Sequence, residues 1–289
     1  MNLTPNILTV DLEDWFVVEN LKGNIDPAEW KNLKHRIEEN TMALLQIFRQ
    51  HGVHATFFIL GWVAEQYPHL IGELTYDGHE IACHSFSHTR VDRMDKESFR
   101  EDTQRAMEVI LKTSGVVPEG YRAPSWSINS RVPWAWEVLA DLGFRYDSSV
   151  YPIKHDIYGE PDAPRDIFKL KLESGRSLYE LPASTVTLFG RNMPIGGGGY
   201  LRLSPYWYTS KMIKSQNARG RSVMVYIHPW EIDEDQPRVE GLTAFQKYRQ
   251  YGSISTMPKK LHRLFTEFDF ISALDYVKLM TKKRIGFEG

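Results

Sequence analysis

Short apolar runs, separated by segments of helical pattern, recur along this chain, and several of them stop at a reactive side chain. Residues 7–10 lead into Asp11, Glu80–Cys83 into His84, residues 116–121 into Arg122 and residues 222–227 into His228. Residues 55–59, Ala-Thr-Phe-Phe-Ile, form a further run rich in β-formers. Between the runs, apolar residues fall near helical spacing. In residues 27–50 these are Leu33, Ile37, Met42, Leu45 and Phe48, with Gly52 as the stop. Helices are likewise predicted over 62–76, over 95–113 with Asp95 as N-cap, and over 132–142. Alternating strand and helix implies a mostly parallel sheet with helices outside it. A (β/α) barrel of seven or eight units is favoured over a doubly wound open sheet, because barrel strand ends meet at one mouth.

From residue 151 to 202 the pattern loosens. Short strands at 177–181 and 184–189 read as parts of hairpins, and Gly196-Gly197-Gly198-Gly199 reads as a tight or mobile loop, a candidate lid. Order returns with a helix over 205–217, the strand 222–227, and helices over 260–267 and 273–281 around a short strand, 268–271. No repeat or linker divides the chain, so residues 1–289 read as a single domain.

Bulk properties exclude several classes. A net charge of −2 does not provide the basic surface that non-specific nucleic-acid binding needs. Cys83 is the single cysteine, which excludes an internal disulfide and any multi-cysteine metal site; beside His84 it reads as core. The first residues show no basic stretch followed by an apolar one, and no apolar run approaches the roughly 20 residues of a membrane span. The expectation is a soluble cytoplasmic protein with no transmembrane span; a homo-oligomer is compatible with it.

His84-Ser85-Phe86-Ser87-His88 is the densest chemical signal. Spacing of four puts both imidazoles on one side if the segment makes a helical turn. Two histidines and a carboxylate can hold a divalent ion of zinc, cobalt, iron, nickel or manganese and leave positions open. A bare histidine pair is as often a capped turn and a solvated ring. The carboxylates Asp11, Glu13 and Asp14 at the end of the first run shift that balance toward a site. One of them should bind metal and another stay free as a general base. Arg122 can hold and aim a carboxylate, and His228 can act as a general acid.

The order Asp11…Asp14, His84-x-x-x-His88, Arg122-x-Pro124, Asp147-Ser148-Ser149 and Ile227-His228 resembles the polysaccharide deacetylase (NodB-homology) carbohydrate esterases, over about residues 7–228. Val10-Asp11-Leu12-Glu13-Asp14-Trp15, with Tyr121-Arg122-Ala123-Pro124-Ser125 and the glycine-rich stretch 196–200, is similar to the branch found with exopolysaccharide biosynthesis loci. The resemblance implies a distorted, incomplete (β/α) barrel and removal of N-acetyl groups from a glycan or glycan precursor. It implies a divalent metal, zinc first, held by Asp14, His84 and His88. Asp11 would be the general base, oriented by Arg122, and His228 would protonate the departing amine, tuned by Asp147. A backbone N–H near Ser125 would help stabilise the oxyanion, and Trp126 and Trp230 would wall the pocket. The common family form has adjacent aspartates at the first motif, whereas two residues separate Asp11 from Asp14 here. Glu13 is therefore the alternative metal carboxylate; Asp14 is favoured because it lies past the strand. Two rival expectations are an allantoinase-like hydrolase of cyclic amides or ureides on the same fold, and a catalytically silent glycan-binding protein.

Overall fold

The first strand, Asn6–Leu12 (β1), is buried at every position, as a strand covered on both faces must be. The computed structural model describes residues 4–155 and 158–285. After β1 come α1 (Ile37–His51), β2 (Thr56–Ile59), α2 (Gly61–Gln66), α3 (Pro68–Tyr76), β3 (Glu80–Cys83), α4 (Lys96–Ser114), β4 (Gly120–Tyr121), α5 (Trp134–Asp141) and β5 (Tyr146–Asp147). The second half holds β6 (Phe168–Lys171), β7 (Ser177–Glu180), β8 (Thr185–Leu188), β9 (Arg191–Pro194), α6 (Gly198–Leu203), α7 (Tyr206–Asn217) and β10 (Met224–Ile227). It closes with α8 (Ala244–Tyr251), α9 (Met257–Glu267), β11 (Phe270–Ile271) and α10 (Ala273–Ile285).

The main sheet runs β10-β1-β2-β3-β4-β5-β7-β6, with β11 also pairing with β1. Every pairing in it is parallel except β6 with β7. From β1 to β5 the strands follow chain order around the sheet, and β10 returns beside β1. That is the wrap of a barrel, without the reversal of order that marks a doubly wound sheet. Among the described residues no ladder joins β6 to β10, so the barrel is incomplete. Gly196 and Gly197 lie along β10 in the gap, where the Tyr226 N–H donates to the Gly196 carbonyl. A β-carbon at Gly197 would overlap the Tyr226 ring, which accounts for glycine there. The glycine run is thus packed as barrel wall, with Gly198 opening α6, rather than standing free as a lid.

Alternation along β1 separates two environments. Leu8, Val10 and Leu12 join the large core between sheet and helices, with Leu44, Phe48 and Phe57. Ile7 faces the interior with Phe58, Ala82 and Tyr146, and on the same side Thr9 and Asp11 reach Arg122. Helix ends follow local chemistry. Asp95 caps α4 by accepting from the Ser98 N–H (2.8 Å), and Gly115 ends it in the left-handed conformation (φ 71°).

Several predicted boundaries shift. The helix over 62–76 is divided at Pro68, which lacks the N–H to continue a helical ladder. The helix over 27–50 becomes a 3-10 stretch, Pro27–Asn32, and a separate α1. The strand over 116–121 shrinks to β4, leaving Val116 and Val117 exposed. The runs at 177–181 and 184–189 do lie in hairpins, paired with β6 and β9 respectively. No helix of the described residues is long and apolar enough to cross a membrane.

Candidate active site

Parallel register lines up the strand ends. Val10 sits beside Ile227, Ile59 beside Cys83, Cys83 beside Tyr121, and Tyr121 beside Asp147. The ladder runs one residue further: the His84 N–H donates to the Ile59 carbonyl and the Arg122 N–H to the Cys83 carbonyl, both at 2.9 Å. Asp11, His84, Arg122 and His228 therefore share one rim. Except for Arg122, which lies beneath Asp11, they line a cavity of about 430 Å³ together with Glu13, His88, Ser125, Trp126 and Trp230.

Arg122 is fully buried and wholly engaged. Its Nη1 donates to Asp11 Oδ1 (2.6 Å) and Thr9 Oγ1 (2.9 Å), and its Nη2 donates to Ser148 Oγ (3.1 Å). The guanidinium lies 4.0 Å from the Phe58 ring centroid. A buried charge this well paired fixes Asp11 in direction. Ser149 Oγ accepts from the Ala123 N–H (2.8 Å), so both serines after Asp147 secure the Arg122 turn.

The two histidines meet without a helical turn. Ser85 and His88 adopt the left-handed conformation (φ 64° and 54°), which L-residues rarely take. Asp102 on α4 stabilises the bend by accepting from Ser85 Oγ (2.7 Å) and from the N–H groups of Phe86 (2.8 Å) and Ser87 (3.0 Å). The His84 and His88 ring centroids end 5.3 Å apart. Asp102 was not foreseen from the sequence; only its acidic side chain, on a helix that packs behind the motif, hinted at it.

The carboxylate beside these rings belongs to Glu13, which corrects the expectation for Asp14. Glu13 Oε2 lies 2.8 Å from His88 Nε2 and 3.9 Å from His84 Nε2. The Glu13 N–H donates to the Asp11 carbonyl (3.0 Å), a tight turn that swings the next side chain back over the rim. Asp14 points elsewhere: its Oδ1 accepts from the Trp15 N–H (2.8 Å), and its Oδ2 from the N–H groups of Arg36 (2.8 Å) and Ile37 (3.1 Å). Asp14 thus caps the start of α1, whose first amides have no partner within the helix. Burial lifts the Asp14 carboxyl to about 6 against the pull of those amides.

The donor set suits a divalent cation. His84 Nδ1 must donate to the Arg122 carbonyl (2.7 Å), which leaves the Nε2 lone pair facing Glu13. One donor atom each from Glu13, His84 and His88 lies within 4.8 Å of the others, all three residues buried. Burial drives the His84 imidazole down to about 4, so it is neutral at physiological pH. For Glu13, burial acts upward, but the charge of His88 and then of His228 and His84 prevails and holds it at about 2.

His228 completes the rim from the other side. Its Nε2 lies 3.8 Å from Asp11 Oδ2 and 3.6 Å from Glu13 Oε1, and its ring stacks on Trp230 (5.0 Å, 21°). Asp147 does not tune it. Among the described residues the carboxylates within 4 Å of the His228 ring nitrogens are Asp11, Glu13 and Glu231. Asp147 instead accepts from Trp136 Nε1 (3.0 Å) and Ser149 and is paired with Glu180, both carboxyls wholly buried. The tuning position is held by Glu231, whose Oε2 lies 3.3 Å from His228 Nδ1 and whose Oε1 accepts from Arg202 Nε (3.3 Å). Burial lowers the His228 imidazole, but its hydrogen bond to Glu231 and the charges of Glu13, Glu231 and Asp11 raise it to about 9. Arg36 pairs through Nε and Nη2 with Asp233 (2.8 and 2.6 Å), joining this loop to α1. Ser125 and Trp126 are both left-handed (φ 54° and 53°) and form the cavity wall opposite, the Trp126 ring 5.1 Å from Tyr226.

Residues 30–146 match the polysaccharide deacetylase family model, and residues 148–278 match a domain of unknown function, DUF3473. The first match contains His84, His88 and Arg122; Asp11 and Glu13 precede it and His228 follows it. A Bacillus cereus peptidoglycan-N-acetylglucosamine deacetylase is 31% identical over 100 residues, which are 34% of this chain and 36% of that protein. A Bradyrhizobium chitooligosaccharide deacetylase is 31% identical over 101 residues, 35% of this chain and 43% of that one. The matched stretch thus spans well under half the length of either relative. Among solved structures, a Mycobacterium smegmatis protein assigned as a polysaccharide deacetylase superposes with a TM-score of 0.61 at 20% identity, over 98% of this chain and 96% of that one. The Bacillus subtilis peptidoglycan deacetylase PdaC gives 0.51 at 16% identity, over 99% and 96%. Residues 30–146 thus match the polysaccharide deacetylase family, and the open barrel that carries them is the fold of these solved structures.

Proposed function

We propose that this chain is a metal-dependent hydrolase that removes N-acetyl groups from a glycan or glycan precursor, with both matched regions forming one catalytic unit. The observation that carries the reading is the meeting of three devices in one cavity: the Arg122-braced Asp11, the Glu13–His84–His88 cluster, and His228 backed by Glu231. Glu13, His84 and His88 would hold the cation, zinc first, and a bound ion supplies Lewis acidity toward the acyl oxygen and water. Asp11, with Oδ1 engaged by Arg122, takes a proton from the attacking water as its oxygen bonds to the acyl carbon. His228, protonated at neutral pH, returns a proton to the nitrogen as the C–N bond breaks, releasing acetate and an amino sugar. A backbone N–H at Ser125 steadies the oxyanion, and Trp126 and Trp230 wall the acetyl pocket. The spacing Asp11-Leu12-Glu13-Asp14 and the packed glycine run support placing the glycan in exopolysaccharide synthesis.

The test is acetate release from N-acetylated oligosaccharides by protein stripped of metal and then reloaded with zinc, cobalt or nickel. Acetate that appears only after reloading is the expected result. Ring opening of a cyclic ureide by the loaded protein, with no acetate from any glycan, would overturn the reading.

A further inference from the structure

Helix α8 rests Tyr251 on the core but turns its other two rings outward. A surface helix ordinarily turns its apolar residues inward and its polar ones to water. In α8 the buried residue is Gln250, while Phe245 and Tyr248 are 67% and 55% exposed. Spacing of three puts the two rings on one face. Nine large apolar side chains are exposed among the described residues, and of these only Phe245 and Tyr248 line the cavity that holds Asp11 and His228.

The helix is firmly held, so its exposed face is not the result of loose packing. Thr243 and Gln246 cap its start reciprocally. Asn20 Nδ2 donates to the Gln246 carbonyl (3.2 Å). Arg202, which braces Glu231, also donates to the carbonyls of Arg249 and Gly252 at the far end, where a helix leaves carbonyls without partners. One guanidinium therefore ties the aromatic face to the His228 side of the site. Pyranose rings carry an apolar C–H face that stacks on aromatic rings, and a hydroxyl rim that needs polar partners; Asn20 and Arg249 line the cavity beside the two rings.

Resting on the deacetylase reading for its occupant, we propose that Phe245 and Tyr248 form a sugar-stacking subsite for residues neighbouring the one that is deacetylated, so that the substrate is a glycan chain rather than a single sugar. The subsite lies within the region that matches a domain of unknown function, and it gives that region a share in substrate binding as well as the acid.

The experiment is calorimetric titration of the metal-loaded Asp11→Asn protein with N-acetylglucosamine and its β-1,4-linked oligomers of two to six units. Affinity should rise at least roughly tenfold from the single sugar to the longer oligomers. The Phe245→Ala/Tyr248→Ala double substitution should remove that rise, and Tyr248→Phe should retain it. Equal affinity at all lengths, no binding of any oligomer, or a length dependence that survives the double substitution would overturn the proposal. Acetate release from the same oligomers by the unsubstituted protein is read separately. Length-dependent binding without acetate counts against the reaction alone, and acetate without length dependence counts against the subsite alone.

Discussion

The stretch from β1 to β5 and the stretch after it build two sides of one site by different means. In the first, neighbouring parallel strands carry Asp11, His84 and Arg122 at their ends, and backbone ladders fix where those residues stand. In the second, hairpins and short helices intervene, and β10 delivers His228 to the rim. There the surroundings of the acid depend on side-chain braces: Arg202 on Glu231, and Arg36 on Asp233. A ladder distributes position over many residues, whereas a brace concentrates it in one pair of side chains. Changes at the rim residues that the ladders place should abolish a function outright, and changes at the braces should shift its tuning.

The largest effect is expected at Asp11. Asp11→Asn keeps the shape of the Arg122 contact but cannot take a proton, so turnover should fall by roughly 10²–10⁴-fold while metal content stays unchanged. Full retained activity would remove Asp11 from the mechanism. Next comes the pair Glu13→Gln and Asp14→Asn. The first should lose bound metal, measured by elemental analysis, and the activity with it. The second should keep its metal and lose about 1 kcal/mol of stability through a weaker cap on α1. Metal lost from the Asp14 variant and kept by the Glu13 variant would reverse their assignments.

Glu231→Gln tests the braced side. Glu231 is foremost among the groups that raise His228, so its neutral replacement should lower the His228 pKa. His228 must be protonated to act, and activity is lost as pH rises through its pKa. The alkaline limb of kcat should therefore move to lower pH, by about one pH unit or more. An unmoved limb would mean that Glu231 only supports the loop.

Much of this was legible in the sequence because strand ends are. An apolar run that stops at Asp11, His84 or His228 gives both a strand and the side on which its last side chain works. What failed to show was fixed by distant partners. Whether Glu13 or Asp14 turns to the histidines depends on the tight turn at Asp11 and on the open amides at the start of α1, more than 20 residues onward. The histidine bend rests on Asp102, which no local pattern connects to it. Helix α8 escaped a periodicity search because its buried residue is glutamine and two of its rings face the cavity.

The smallest effect is expected at Asp147, where the resemblance implied a partner for His228 and the structure shows a buried carboxyl pair. Burial raises Asp147, and burial together with Asp147's charge raises Glu180 well above the usual carboxylate range. Groups raised on folding contribute stability at pH values below their unfolded pKa, near 4, and lose it as pH rises through their folded values. Asp147→Asn can still accept from Trp136 and donate to Glu180, and it relieves the repulsion between the two carboxyls. Its unfolding free energy should match that of the unsubstituted protein near pH 4 and exceed it increasingly toward pH 8, by no more than about 1 kcal/mol. The alkaline limb of activity should not move, because His228 takes its charge partners from Glu231, Glu13 and Asp11. A limb that shifts with Asp147→Asn as far as with Glu231→Gln would show that the two regions are coupled through β5, and the contrast between ladder and brace would fail at that point.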